Sequence, residues 1–201
     1  MLNLAVLVSG RGSNLQAIID RIESGNLDAK ISVVVSNTAD AYGLVRAKNH
    51  GIPTRFLCSR DYSDRRDYDA ALARLIENFH PDLIVLAGYM LVLTPVFLDV
   101  FPQKVINIHP ALLPSFPGTH AQKQALDYGV KVSGCTVHFV DAGTDTGPII
   151  AQRVVPVFDD DTEDTLAARI LEQEHDIFAT VIQWIAQGKV ELKGRKVLVK
   201  E

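Results

Sequence analysis

Short continuous apolar runs alternate along the chain with longer stretches in which apolar residues recur every three or four positions. Leu4-Ala5-Val6-Leu7-Val8 and Leu83 to Ala87 have no polar member and read as strands buried on both faces. Ile31 to Val35, Thr54 to Leu57, Val105 to His109, Val132 to Val140 and Ile149 to Val155 read as further strands. Between them the helical period takes over. Leu15, Ile18, Ile19 and Ile22 form one stripe, stopped near Gly25, and Tyr68, Leu72, Leu75, Ile76 and Phe79 form another within Asp64 to Phe79. Shorter helices are expected over Ala41 to His50, after Thr94-Pro95, and from Ala121 to a stop at Gly129. A last long helix follows, with Leu166, Ile170, Ile177, Phe178, Val181 and Ile185 on its apolar face and Glu174 set among them. Val190 to Val199 reads as a hairpin turning at Lys193-Gly194. Helices alternating with apolar strands predict an α/β fold with a doubly wound, mainly parallel sheet.

Bulk composition narrows the classes. With 201 residues and 47% hydrophobic content, a single domain over 1–201 with a full core is expected. A net charge of −4 and no cluster of Lys or Arg argue against a nucleic-acid partner and favour small metabolites. The N-terminal apolar run is too short for a signal peptide, and no apolar run reaches membrane-spanning length, so a soluble, cytoplasmic protein is expected. Cys58 and Cys135 lie far apart with no C-x-x-C spacing, which argues against a zinc site or a redox pair; both are expected as buried free thiols.

Two places carry candidate chemistry. Ser9-Gly10-Arg11-Gly12-Ser13-Asn14 joins the first strand to the first helix, and a helix N-terminus with small flanking residues suits an anion. Leu15 stands where a dinucleotide fingerprint needs glycine, the next strand ends in Ser36-Asn37 without a ribose-binding acid, and no G-K-S/T is present. A monophosphate therefore fits better than a dinucleotide or ATP; the alternative is a tight turn in which Ser13 or Asn14 merely caps the helix. The second place is Val105 to Gly118, where Asn107 and His109 share a strand face and Pro110 ends the strand. The C-terminal edge of a parallel sheet is where ligands bind in open α/β folds.

Asp145, in the glycine-punctuated loop Asp141 to Pro148, is the third candidate group. An amide, an imidazole and a carboxylate suit acyl transfer without a covalent enzyme intermediate. Asp145 would hold His109 protonated, and Asn107 and His109 would donate to the oxyanion of a tetrahedral intermediate. A lone histidine near a strand end also has a purely structural reading. Other residues stay open in the same way. Arg65 and Arg66 lie in the first turn of their helix, where the dipole disfavours a cation, and are either carboxylate-binding or solvated. Tyr89 to Leu93 either lines a pocket for a flat aromatic ligand or packs in the core. Glu174 has either a structural partner or a ligand, and the acids from Asp159 to Asp164 form a solvated helix start.

Several runs in order carry a resemblance: Ser9 to Ile18, Leu86-Ala87-Gly88-Tyr89-Met90, Asn107 to Pro114, Gly134 to Val140, Asp145 with Gly147-Pro148, and Gln173-Glu174-His175. Over Leu4 to about Gly188 the sequence closely resembles the glycinamide ribonucleotide formyltransferase family, which moves a formyl group from 10-formyltetrahydrofolate to a primary amine in purine biosynthesis. The resemblance implies a Rossmann-like formyltransferase fold and a catalytic trio of Asn107, His109 and Asp145. It implies substrate phosphate and ribose at Gly12, Ser13, Asn14 and Glu174. It places the folate against Met90, Leu91, Val92 and Leu93, Asn107, and the loop from Val140 and Asp141 to Asp145, with Arg65 near the benzoyl-glutamate end. No metal is implied, and the partners are the two small substrates, with the chain a monomer or homodimer. Many relatives carry arginine where this chain has Leu91, so a folate contact there would fall to the backbone.

The chemistry is compatible with these roles. A glycinamide amine, like an α-amino group, has a pKa of roughly 8 and needs no strong base. The harder tasks are stabilising the oxyanion and protonating the departing folate nitrogen, for which a water held by Asp145 could relay protons. A formyltetrahydrofolate deformylase, sending the formyl group to water, and a non-catalytic binding module are the rival readings. The intact glycine loop favours a phosphorylated acceptor over the first, and the presence of all three polar groups favours an enzyme over the second.

Overall fold

The computed structural model of the chain describes residues 1–200. In chain order the elements of the first half are β1 (Leu2–Val8), α1 (Ser13–Glu23), β2 (Ala29–Ser36), α2 (Tyr42–Asn49), β3 (Thr54–Phe56), α3 (Arg65–Glu77), β4 (Leu83–Leu86), α4 (Pro95–Leu98) and β5 (Val105–His109). The second half adds α5 (Ala121–Tyr128), β6 (Val132–Phe139), β7 (Ile149–Pro156), α6 (Glu163–Ala186), β8 (Val190–Lys193) and β9 (Lys196–Val199). Seven strands are hydrogen-bonded in the order β3-β2-β1-β4-β5-β6-β7, and β8 and β9 form a separate hairpin. The chain divides into two compact units, Met1–Ile106 and Asn107–Glu201.

In the first unit β1 pairs in parallel with β2 and with β4, and β2 with β3. The apolar runs are buried on both faces as their composition requires: Leu4 through Val8 and Val33 through Val35 have no exposed surface at all. The helices turn their stripes inward, α1 through Leu15, Ile18 and Ile19 and α3 through Tyr68, Leu72 and Ile76. Each such large side chain contributes about 1.5–3 kcal/mol when fully buried. Asp64 caps α3 by accepting the Asp67 N–H at 2.9 Å.

In the second unit β6 and β7 run antiparallel, with a register shift between Val137 and His138. The helix α6 lies on both strands and buries Leu166, Ile170, Ile177, Phe178, Val181 and Ile182. Its start differs from a simple solvated acidic turn. Thr162 and Thr165 form a reciprocal cap, and Asp161 is clamped by both guanidinium nitrogens of Arg169 at 2.7 Å each. Helix α5 ends where Gly129 adopts a left-handed φ of 78°, the conformation a helix stop requires. The expectation of two buried thiols holds only for Cys135; Cys58 is partly exposed. No helix among the described residues is long and apolar enough to cross a membrane.

Candidate active site

Strand β5 carries Asn107 and His109 two positions apart, and both reach the same carboxylate. Asn107 Nδ2 lies 3.5 Å from Asp145 Oδ1, and His109 Nδ1 lies 3.3 Å from Asp145 Oδ2. The shared partner puts the two side chains on one face, as the strand period predicts. Asp145 comes from the loop between β6 and β7 and has a φ of 55°, an unfavourable left-handed conformation for a residue with a Cβ. The loop imposes it. Asp141 accepts the Gly143 N–H at 3.1 Å and the Thr146 hydroxyl at 2.6 Å, and a Cβ on Gly147 would overlap the Phe139 carbonyl. The Gly118 N–H donates to Asp145 Oδ2 at 2.8 Å, which joins the end of the proline-rich stretch to the same group.

His109 is buried, and its Nε2–H donates to the Phe116 carbonyl at 2.8 Å. A carbonyl only accepts, so this bond keeps one proton on Nε2 and leaves Nδ1 facing Asp145. Burial lowers the imidazole's pKa, the Asp145 charge and the Phe116 bond raise it, and burial wins: the net direction is down. Asp145 thus acts on His109 in the expected direction, toward the protonated ring, and burial opposes it. For Asp145, burial acts upward but is outweighed by His138, the Gly118 amide and the charge of His109, so its pKa falls and it is a carboxylate at neutral pH.

A fourth polar group joins the three. His138 on β6 is buried, with Nε2 3.3 Å from Asn107 Nδ2 and 3.6 Å from Asp145 Oδ1. The longer distance is an electrostatic contact, not a hydrogen bond. The Nδ1 of His138 lies 2.8 Å from the Phe139 carbonyl, which puts a proton on Nδ1, while Nε2 faces both the Asn107 amide and Asp145. No pattern along the sequence assigns His138 a role. The available signal was an imidazole between Val137 and Phe139 on a strand, where a buried polar group needs a partner.

The remaining candidates fall into separate places. In the first unit Gly12 is the N-cap of α1 with φ 67°, and no side chain caps that helix. The N-cap position thus falls on Gly12 and not on Ser13 or Asn14, and the helix N-terminus keeps the character of an anion site. The loop is held from outside: Gly43 N–H donates to Gly10 O at 3.0 Å, and Arg46 Nε to Arg11 O at 2.9 Å. Leu15, at the position where a dinucleotide loop needs glycine, is fully buried.

Between Met90 and Leu93 the two readings divide. Leu93 is core, Leu91 is half-buried, and Met90 and Val92 are exposed, at 70% and 54%. Arg65 is neither solvated nor unpaired: it meets Asp69 at 3.1 Å and stacks over the Tyr68 ring, while Arg66 is exposed. In the second unit Val140 and Asp141 are half-buried at the start of the Asp145 loop. Glu174 is buried on α6 near Cys135, whose thiol is pushed up to about 12 by burial first and by the Glu174 charge second. Among the described residues no group of three or more His, Cys, Asp and Glu is arranged to hold a metal ion.

Two N–H-bearing side chains and an ionised carboxylate are thus gathered at a buried strand end, and known proteins share the chain's pattern. The residue pattern of the formyl transferase family matches residues 2–182. Phosphoribosylglycinamide formyltransferase of Escherichia coli (strain K12) is 44% identical over 191 residues, covering 95% of this chain and 90% of that protein. The Haemophilus influenzae protein of the same name is 45% identical over 193 residues, covering 96% and 91%. The crystal structure of glycinamide ribonucleotide transformylase 1 from Symbiobacterium toebii superposes with a TM-score of 0.98 at 47% identity, covering all of this chain and 95% of that one.

Proposed function

The chain belongs to the formyl transferase family, and from that premise we propose how its own residues carry out the transfer. It moves the formyl group of a formyl-folate to glycinamide ribonucleotide in purine biosynthesis. The observation that carries the mechanism is the meeting of Asn107 and His109 on one carboxylate, Asp145, at the end of β5. The donor is 10-formyltetrahydrofolate. The acceptor amine attacks its formyl carbon directly, a C–N bond forms, and the carbonyl electron pair moves onto oxygen. The Asn107 amide donates to that oxygen. His109, neutral beforehand, takes up the proton of the attacking amine as the growing negative charge raises its proton affinity, and is a second, charged donor until that proton is passed on. The amine proton passes to the departing folate nitrogen through Asp145 or a water on it, and the intermediate collapses to the formylated amide and tetrahydrofolate.

For binding, Gly12, Ser13 and Asn14 take the acceptor phosphate on the uncapped N-terminus of α1, and Glu174 takes ribose hydroxyls. The formyl donor lies on Met90 to Leu93, Asn107, Val140 and Asp141. The exposed Met90 and Val92 offer apolar surface to a flat ring, and Arg65 serves the acidic end. The family pattern spans both compact units, which supports one formyltransferase domain over 1–201. Both substrates are charged, water-soluble metabolites, and we place the enzyme in the cytoplasm as a monomer or homodimer with no resident metal. Folate release with and without glycinamide ribonucleotide tests the reading. Release that depends on the acceptor is expected; release to water alone would make it a hydrolase, and no release would overturn catalysis.

A further inference from the structure

Asp69 is a fully buried carboxylate on α3. A carboxylate so placed needs close polar partners, and it has two. Arg65 Nε lies 3.1 Å from Oδ1, and the Thr94 N–H donates to Oδ2 at 2.6 Å. Thr94 is the residue directly after Met90 to Leu93, so the carboxylate grips the C-terminal end of that segment. The N-terminal end is gripped as well: the Met90 N–H donates to Ser9 Oγ at 2.8 Å, and the hydroxyls of Tyr68 and Tyr89 meet at 2.7 Å. The segment between is held at both ends while Met90 and Val92 remain exposed. Arg65 is held on two sides, by the ion pair with Asp69 and by the Tyr68 ring at 5.0 Å, and its Nε and Nη2 are both buried donors with no hydrogen-bond acceptor. A buried guanidinium N–H without a partner is costly unless a ligand supplies the acceptor.

We propose that Asp69 is a positioning residue for the formyl donor: its carboxylate sets the backbone of Met90 to Leu93 through the Thr94 amide and locks the Arg65 guanidinium for the donor's acidic end. The inference rests on the reading that this segment and Arg65 bind the donor. Asp69 itself touches neither substrate. It links two contacts, one with a flat ring and one with a carboxylate, that would otherwise be independent. Its loss should therefore weaken donor binding specifically, leaving acceptor binding and the chemical step in place.

The test is steady-state kinetics on the full chain with Asp69→Asn and Asp69→Ala, varying each substrate separately. Asparagine has the same shape and keeps an acceptor for the Thr94 amide but loses the charge that holds Arg65. The expected result is a KM for 10-formyltetrahydrofolate raised about tenfold by Asp69→Asn, which loses the ion pair with Arg65, and further by Asp69→Ala, which also loses the Thr94 hydrogen bond. The KM for glycinamide ribonucleotide and kcat at saturating donor should stay within about twofold. With a donor truncated before its glutamate, the Asp69→Asn penalty should disappear, whereas that of Asp69→Ala should persist. An unchanged donor KM in both variants, or a fall in kcat with both KM values unchanged, would overturn the proposal. Should Asp69→Ala not fold, the isosteric Asp69→Asn decides alone. Val92→Asp separates the two layers. If it too leaves the donor KM unchanged, the donor reading of the segment fails and the inference with it; if it raises the donor KM while the Asp69 variants do not, only the positioning role fails.

Discussion

His109 is pulled in two directions, and the balance sets its role. Burial favours the neutral ring, while Asp145 and the Phe116 carbonyl favour the protonated one; the neutral ring prevails before reaction. A histidine of this kind responds strongly to a negative charge appearing beside it, which is what an oxyanion supplies. His109→Ala and Asn107→Ala should each lower kcat by about a hundredfold or more with little change in either KM, the signature of a donor used mainly in the transition state. A direct formyl-transfer assay checks this, and near-normal turnover in either variant would count decisively against the mechanism. Asp145→Asn should also lose activity, because an amide neither shares the imidazole's charge nor relays a proton.

At the scale of elements, two short pieces of backbone do different work, one shaping the glycine loop and the other holding a helix end. Gly12 combines a left-handed φ with a close approach: a Cβ there would lie 2.6 Å from the Gly43 Cα of α2. Gly12→Ala should therefore move the loop off α2 and raise the KM for glycinamide ribonucleotide more than that for the folate, with a loss of stability on the order of 1 kcal/mol or more from backbone strain. Titrating both substrates against the variant reads the asymmetry; equal effects on the two KM values would detach the loop from the acceptor. On α6 the reciprocal cap of Thr162 with Thr165 stands apart from any site residue. Thr162→Ala should cost about 1 kcal/mol in urea unfolding with kinetics unchanged.

For the whole molecule, the titratable groups of the candidate site shape its response to acid. His109 has a folded pKa below the ordinary value of about 6.5, so the native state binds fewer protons than the unfolded chain in that region. Stability is complete above about pH 6.5 and falls as the pH drops from there through the folded value. Asp145, depressed below about 3.9, stabilises above that pH and gives up its contribution as the pH falls through its folded value. Both changes have the same sign, with the histidine acting first. Urea midpoints measured from pH 7.5 down to pH 5 should decline, and His109→Gln should flatten the decline. An identical slope in the variant would remove His109 as its source.

The strands, helices and glycine loop were legible in the chain because they follow from local rules. Unbroken apolar runs such as Leu4 to Val8 can only be buried on both faces, a 3.6-residue stripe such as that of α3 must lie against a core, and Asn107 and His109 two apart on a strand must share a face. The identities of the three candidate catalytic residues were also there, carried by motif order. What required the tertiary structure was every quantity that depends on neighbours distant in sequence. Asp69 and His138 look like ordinary helix and strand residues until Thr94 and Asn107, 25 and 31 positions away, are brought beside them. The protonation of His109 is of the same kind. Its sign depends on how much desolvation the fold imposes against how closely Asp145 approaches, and both are set by packing rather than by any pattern along the chain.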